Sequence, residues 1–141
     1  DALMSYRDDL RQAKEQGRNL MTLKYARMEN IIPVLNENPV IREIVELELE
    51  AQCAAAALYP HLIGQGRPLD NDSDAETSFK TYLQGELETY SDRTLEILLR
   101  DYRQAAQRGE NWSLRFYAHL VAKYGYASLD QAEAAMRQKT G

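Results

Sequence analysis

The stretch Asp9-Leu10-Arg11-Gln12-Ala13-Lys14-Glu15-Gln16-Gly17-Arg18-Asn19-Leu20, "DLRQAKEQGRNL", reads as the end of one helix, a stop and the start of another. Leu3, Tyr6, Leu10 and Ala13 recur at spacings of three and four, which predicts a helix from about Ala2 to Gln16. Gly17 is placed to take the left-handed conformation that ends a helix. Asn19 then supplies a side-chain oxygen for the free amides of a second helix carrying Leu20, Leu23, Tyr25 and Met28. The same punctuation returns 92 positions later. Asp9, Arg11, Gln12, Ala13, Gly17, Asn19, Tyr25 and Ala26 meet Asp101, Arg103, Gln104, Ala105, Gly109, Asn111, Tyr117 and Ala118. Eight identities in an ungapped window of 18 favour duplication of a helix-Gly-Asn-helix hairpin over convergent helix punctuation.

Duplication has a corollary. The second copy is preceded by a partner helix and a linker, Pro39 to Asp74, that the first copy lacks, and the chain opens with Asp1. Both features predict an N-terminal segment of a longer chain ahead of Asp1.

The remaining pattern is helical as well. Asn38-Pro39 pairs a capping side chain with a residue pre-set for a first helical turn, and a stripe of Val40, Ile44, Leu47, Ala51, Ala54 and Leu58 follows until Tyr59-Pro60 stops it. The small residues from Ala51 to Ala57 allow close approach of another helix. Ser73-Asp74-Ala75-Glu76 and Ser128-Leu129-Asp130-Gln131 have the form of capping boxes, and Ser91-Asp92 either opens a separate helix or sits within one long one. Asn111 caps the helix that carries Trp112 and Leu114 to Lys123. No run alternates as a strand would. The expectation is an all-α fold, a bundle of about six helices over residues 1–141 built from two related hairpins.

Composition narrows the function. The 141 residues carry 17 basic and 22 acidic side chains, a net charge of −5, which disfavours nonspecific nucleic-acid binding. No apolar run approaches the roughly 20 residues of a membrane span. Cys53 is the one cysteine, and its setting "AQCAAAAL" suggests a small buried hydrophobe in a chain suited to a reducing cytoplasm.

The stretch "GQGRPLDNDSDAE", residues 64 to 76, invites a ligand. Gly64-Gln65-Gly66 has no third glycine, preceding strand or G-K-[ST] ending, so the nucleotide-loop fingerprints fail. Asp70, Asp72 and Asp74 open like a calcium loop, but Ala75 and Thr81 stand where such a loop needs Gly and Glu. These acids suit a helix N-terminus without any ligand. Arg67, held between glycines and Pro68, keeps a guanidinium free to reach an anion or to tie the linker to an acid such as Glu86.

Phe79, Tyr82, Leu83, Glu86 and Tyr90 fall on one helical face, which sets Glu86 in an aromatic stripe. A carboxylate held there suits acid/base work or the anchoring of a cationic or hydroxylated ligand. Glu86, Tyr82 and Tyr90 are therefore the candidates for chemistry, and Arg67, Arg93 and Glu48 for holding a ligand. The competing account is structural, an ion pair from Glu86 to Arg93 or Arg67 that fixes helix register. Glu48 and Glu86 together invite a carboxylate-bridged metal, but a di-iron bundle needs Glu-x-x-His, and neither His61 nor His119 has Glu three residues earlier. No cofactor or metal is assigned. His61 reads as a surface or capping residue, His119 as exposed or at a rim, and Trp112 with Tyr117 as core.

Three groups of residues carry a family resemblance. They are Tyr59-Pro60-His61-Leu62 with Gly66-Arg67-Pro68, the run Thr77 to Leu87 ("TSFKTYLQGEL") with Thr89-Tyr90-Ser91, and Gly17-Arg18-Asn19-Leu20 with Lys24-Tyr25-Ala26-Arg27-Met28. On these the chain resembles the bacterial domain-of-unknown-function family numbered 4125, over most of its length. The resemblance implies a cytoplasmic bacterial protein with further sequence ahead of the position of Asp1, and it supplies no activity. Two functions follow as expectations. One is a carboxylate, tyrosine and arginine pocket for a small polar or charged metabolite. The other is a non-enzymatic module that pairs with a second copy, or with the preceding segment, through residues 39–58.

Overall fold

Asn38 opens the central helix as its position predicts: its side-chain oxygen accepts from the Val40 amide at 3.0 Å and its carbonyl from the Ile41 amide at 3.1 Å. A computed structural model describes residues 1–64 and 78–140. Among them are eight α-helices and no strand: α1 (Ala2–Glu15), α2 (Leu20–Met28), α3 (Val40–Leu58), α4 (Pro60–Ile63), α5 (Phe79–Leu87), α6 (Asp92–Gln107), α7 (Trp112–Lys123) and α8 (Leu129–Thr140). The all-α expectation holds, with more helices than about six. Ser91 accepts from the Thr94 amide and so makes α6 a separate helix. Tyr59-Pro60 ends α3 but also begins the single turn α4, whose free Leu62 and His61 amides both donate to Glu133 of α8. Arg67 and the Ser73-to-Glu76 capping box lie outside the described residues, as does the expected helix start near Asp74; α5 takes its cap from Ser78.

The two hairpin corners share their geometry. Gly17 and Gly109 have φ of +72° and +70°, and the following residues, Arg18 and Glu110, donate back to Ala13 and Ala105. Asn19 and Asn111 have φ, ψ of −112°, 108° and −111°, 106°, and accept from the Thr22 and Leu114 amides. A residue with a Cβ is strained at such positive φ, so glycine is the economical stop in both places.

The core lies where α3, α5 and α6 meet, with Ile41, Ile44, Val45, Leu83, Leu87, Leu95 and Leu99 buried together. Around it α2 packs on α5, α1 on α6, α7 on α3, and α4 and α8 on each other. The buried face of α3 is Ile41, Ile44, Val45, Ala51, Gln52 and Ala55, rotated from the expected stripe, while Leu58 is 62 % exposed. Cys53 is exposed, which corrects its reading as a buried hydrophobe. The face through Ala51 and Gln52 is taken by α7: the Asn111 amide donates to the Ala51 carbonyl and the Gln52 amide to the Tyr117 hydroxyl.

On α1 the buried residues are Ser5 and Ala13, with Leu3 and Leu10 exposed. A polar cluster seats this helix: Thr94 Oγ1 donates to Asp9 at 2.8 Å and lies 2.6 Å from Ser5 Oγ, and the Ser91 amide donates to Asp9. Small hydroxyls let α1 approach α6 closely. The apolar stripe of α1 is thereby turned toward two cavities.

Candidate functional site

The spacing that placed Phe79, Tyr82, Leu83, Glu86 and Tyr90 on one face of α5 and the turn after it has a structural counterpart. All five line a cavity of about 310 Å³, with Glu48 of α3, Tyr6 and Leu3 of α1, and Leu98 and Tyr102 of α6 completing its walls. Glu48 follows Ile44 and Val45 on the inward face of its helix, which brings a carboxylate from the middle of α3 into the same cavity as the one from α5. Tyr102 donates a short hydrogen bond to Glu48 and stacks on Trp112 at 4.7 Å between ring centroids. Tyr6 of α1 and Tyr90, in the turn after α5, pack together with centroids 4.6 Å apart and ring planes inclined by 54°.

No hydrogen bond reaches the Glu86 carboxylate among the described residues, and neither Glu48 nor Glu86 forms an ion pair there. Arg93, expected beside Glu86, is not brought to it. Its side chain is 72 % exposed and its guanidinium lies 3.9 Å from Asp8 of α1. The Glu86–Arg93 register pair is absent for the same reason. Arg67 lies outside the described residues. Four of the six residues selected by pattern, Glu48, Tyr82, Glu86 and Tyr90, share the cavity.

The cation nearest this chemistry is Lys24, which no pattern singled out. It is 3 % exposed, donates from Nζ to the Tyr82 hydroxyl at 2.9 Å, and lies 4.4 Å from the centroid of that ring and 5.0 Å from that of Tyr25. Gly85 makes the contact possible. A Cβ at Gly85 would stand 2.8 Å from Met28 Cγ and 3.3 Å from the Lys24 carbonyl oxygen, so α2 and α5 cross so closely that any side chain here must push Met28 and the α2 backbone aside. The signal for Lys24 was present in its place four residues after the buried Leu20, on the inward side of α2. A second cavity of about 400 Å³ adjoins, sharing Tyr6 and Glu86 with the first and carrying Lys24, Lys14 and Arg18. Glu86 thus stands between an acidic, tyrosine-rich chamber and a basic one.

The environment moves the titrating groups in consistent directions. Burial raises the Glu48 carboxyl against the pull of the Tyr102 hydroxyl, and the charge of Glu86 adds to the rise. Burial also pushes Tyr90 and Tyr102 far above the ordinary phenol, helped by Glu86 and Glu48 respectively. Tyr6 rises by burial and by Glu86. For Lys24 burial works downward, but the hydrogen bond to Tyr82 and the negative charge of Glu86 carry it above the usual ammonium.

Other carboxylates serve the frame. Glu88, with its side chain fully buried, receives Arg27 at 2.5 and 3.3 Å, the Leu35 amide and the Gln84 side chain. Glu133 receives the His61 and Leu62 amides and lies 3.1 Å from His61 Nδ1, which makes His61 part of the α4–α8 contact. Among the described residues no group of three or more His, Cys, Asp and Glu is placed to hold a metal ion, and no helix is long and apolar enough to cross a membrane.

Comparison with known proteins agrees with the resemblance. Residues 1–134 match the family described as Protein of unknown function (DUF4125). No curated protein and no solved structure gives a significant match.

Proposed function

We propose, from the premise that the chain belongs to the DUF4125 family, that it binds a small polar or charged metabolite in the cavity between α3, α5 and α6, with Glu86 as ligand anchor or acid/base group. One observation carries the reading. Glu86 is a half-buried carboxylate with no hydrogen-bond partner among the described residues, lining a chamber of tyrosines and a second carboxylate. A group serving only to fix helix register would be paired, as Glu88 is. Tyr82 and Tyr90 supply hydroxyls within the same chamber, and Glu48 the opposing charge. In this reading the two hairpins are descendants of one unit, with Lys24 in the first copy where Phe116 stands in the second. The protein is a bacterial, cytoplasmic one and its helices form a single domain.

Native mass spectrometry of the purified protein, before and after denaturation, tests this directly. A monomer that releases a small molecule on denaturation, with the molecule lost in Glu86→Gln, is the expected result. An empty protein whose mass depends on concentration would favour a pairing module instead. A specific observation motivates that second reading: Cys53, Ala54, Ala57 and Leu58 form an exposed apolar edge along α3.

A further inference from the structure

The chemistry of the chamber selects among ligand classes. We infer that the cavity between Glu48 and Glu86 takes a compact organic cation, an ammonium group on an aliphatic body; this rests on reading the cavity as a ligand site. Two carboxylates from different helices line one chamber of about 310 Å³, and neither is ion-paired among the described residues. An anionic ligand would add a third negative charge to a partly desolvated space, where like charges repel most strongly. A neutral ligand would leave Glu48 without a countercharge and Glu86 with only the Lys24 ammonium, which lines the adjoining cavity and not this one. A cation satisfies both.

The walls fit the same class. Tyr6, Tyr82, Tyr90 and Tyr102 line the chamber, and the face of an aromatic ring attracts an ammonium through its quadrupole. The chain displays this pairing on its own account, since the Lys24 ammonium lies 4.4 Å from the centroid of the Tyr82 ring and donates to its hydroxyl. Leu3, Phe79, Leu83 and Leu98 supply the apolar remainder, suited to a short methylene chain. A volume near the lower end for small-molecule sites excludes bulky ligands.

The test uses three probes of one shape and different charge: n-butylammonium chloride, butan-1-ol and sodium butyrate, titrated at neutral pH and constant ionic strength into the ¹⁵N-labelled full chain. Butylammonium is expected to shift amide resonances of α3 and α5 around Glu48 and Glu86 saturably, at least about tenfold more tightly than the other two. Glu86→Gln and Glu48→Gln should each weaken it several-fold. Tighter or equal saturation by butanol or butyrate at the same amides would overturn the cationic class while leaving the pocket in place. Saturation by none of the three would overturn the class and count against the pocket together. Butylammonium binding untouched by either substitution would locate it elsewhere and refute the inference; should one variant fail to fold, the other and the wild-type comparison still decide.

Discussion

Glu86 and Glu88 stand two residues apart at the end of α5, about 200° around the helix from each other, and meet opposite surroundings. The Glu88 carboxylate is fully buried and takes four hydrogen bonds, two of them from Arg27. The Glu86 carboxylate opens on two cavities and takes none among the described residues. Two identical side chains therefore divide the work, one holding α2 and the following loop to α5, the other left available to solvent or ligand.

Their amides should report the division. Glu88→Gln leaves the partly buried Arg27 guanidinium without its countercharge and is expected to cost about 3 kcal/mol, on the order of 10 °C in Tm. Glu86→Gln should leave Tm unchanged or raise it, because a site kept for a ligand gives up stability. Thermal melts of the two variants beside wild type at neutral pH decide the matter. A loss at Glu86→Gln as large as that at Glu88→Gln would make Glu86 a structural charge and remove the centre of the proposed pocket.

Gly85 gives a second test. Alanine there should gain about 1 kcal/mol of helix propensity, yet its Cβ would sit 2.8 Å from Met28 Cγ and 3.3 Å from the Lys24 carbonyl. Pushing α2 away strains a packed contact by about 1–3 kcal/mol and moves Lys24 off Tyr82. Gly85→Ala is therefore expected to lower stability by about 1 kcal/mol net, read by urea unfolding. A more stable variant would show that α2 tolerates the added methyl without displacement.

The alkaline limb follows from groups that all move the same way. Tyr90, Tyr102, Tyr6 and Lys24 each bind their proton more tightly in the folded chain than in the unfolded one. Their contribution is complete below about pH 10, the ordinary value for these side chains, and is lost as pH rises through the folded values. Stability should fall steeply above about pH 10, and the phenolate absorbance of these tyrosines should appear together with unfolding. A smooth titration of all nine tyrosines in a chain that keeps its helical circular dichroism would contradict the burial that causes the shifts.

Much of this arrangement was legible because helices advertise themselves locally. Gly17, Asn19, Asn38 and Asn111 act within a few residues of themselves, so their roles could be read from spacing alone. The face carrying Tyr82, Glu86 and Tyr90 was legible for the same reason. What spacing cannot convey is which way a helix turns once packed. On α3 the core takes Ile41, Val45 and Ala55 and leaves Leu58 out, because α5, α6 and α7 together set its rotation. Lys24 escaped notice because an amine on the inward side of a helix is intelligible only beside Tyr82 and Gly85, some 60 residues further along. Arg93 misled because its separation from Glu86 along the chain says nothing about the break at Ser91, which turns it toward Asp8.

Acid should separate Glu48 from Glu133, whose shifts have opposite signs. Burial raises Glu48, so the proton it holds in the folded chain stabilises below the ordinary carboxylate range, and that contribution is lost as pH rises through its folded value. At neutral pH its charge is consequently a burden, shared with Glu86 across the cavity. Glu48→Gln keeps an acceptor for Tyr102 and is expected to raise Tm by about 2 °C at pH 7, with the advantage gone near pH 4. For Glu133 burial opposes ionisation, but the His61 and Leu62 amides and the His61 ring outweigh it and hold the carboxyl below its usual value. Its contribution is present above the ordinary carboxylate range and is lost as pH falls through the folded value. Glu133→Gln should therefore lower Tm at pH 7 and matter progressively less toward pH 3, as protonation does the same to wild type. Melts of both variants across pH 3 to 7 give two difference curves that slope in opposite directions. Curves of the same slope would mean that Glu48 is not burdened by its charge, and the case for a cation between Glu48 and Glu86 would lose its energetic basis.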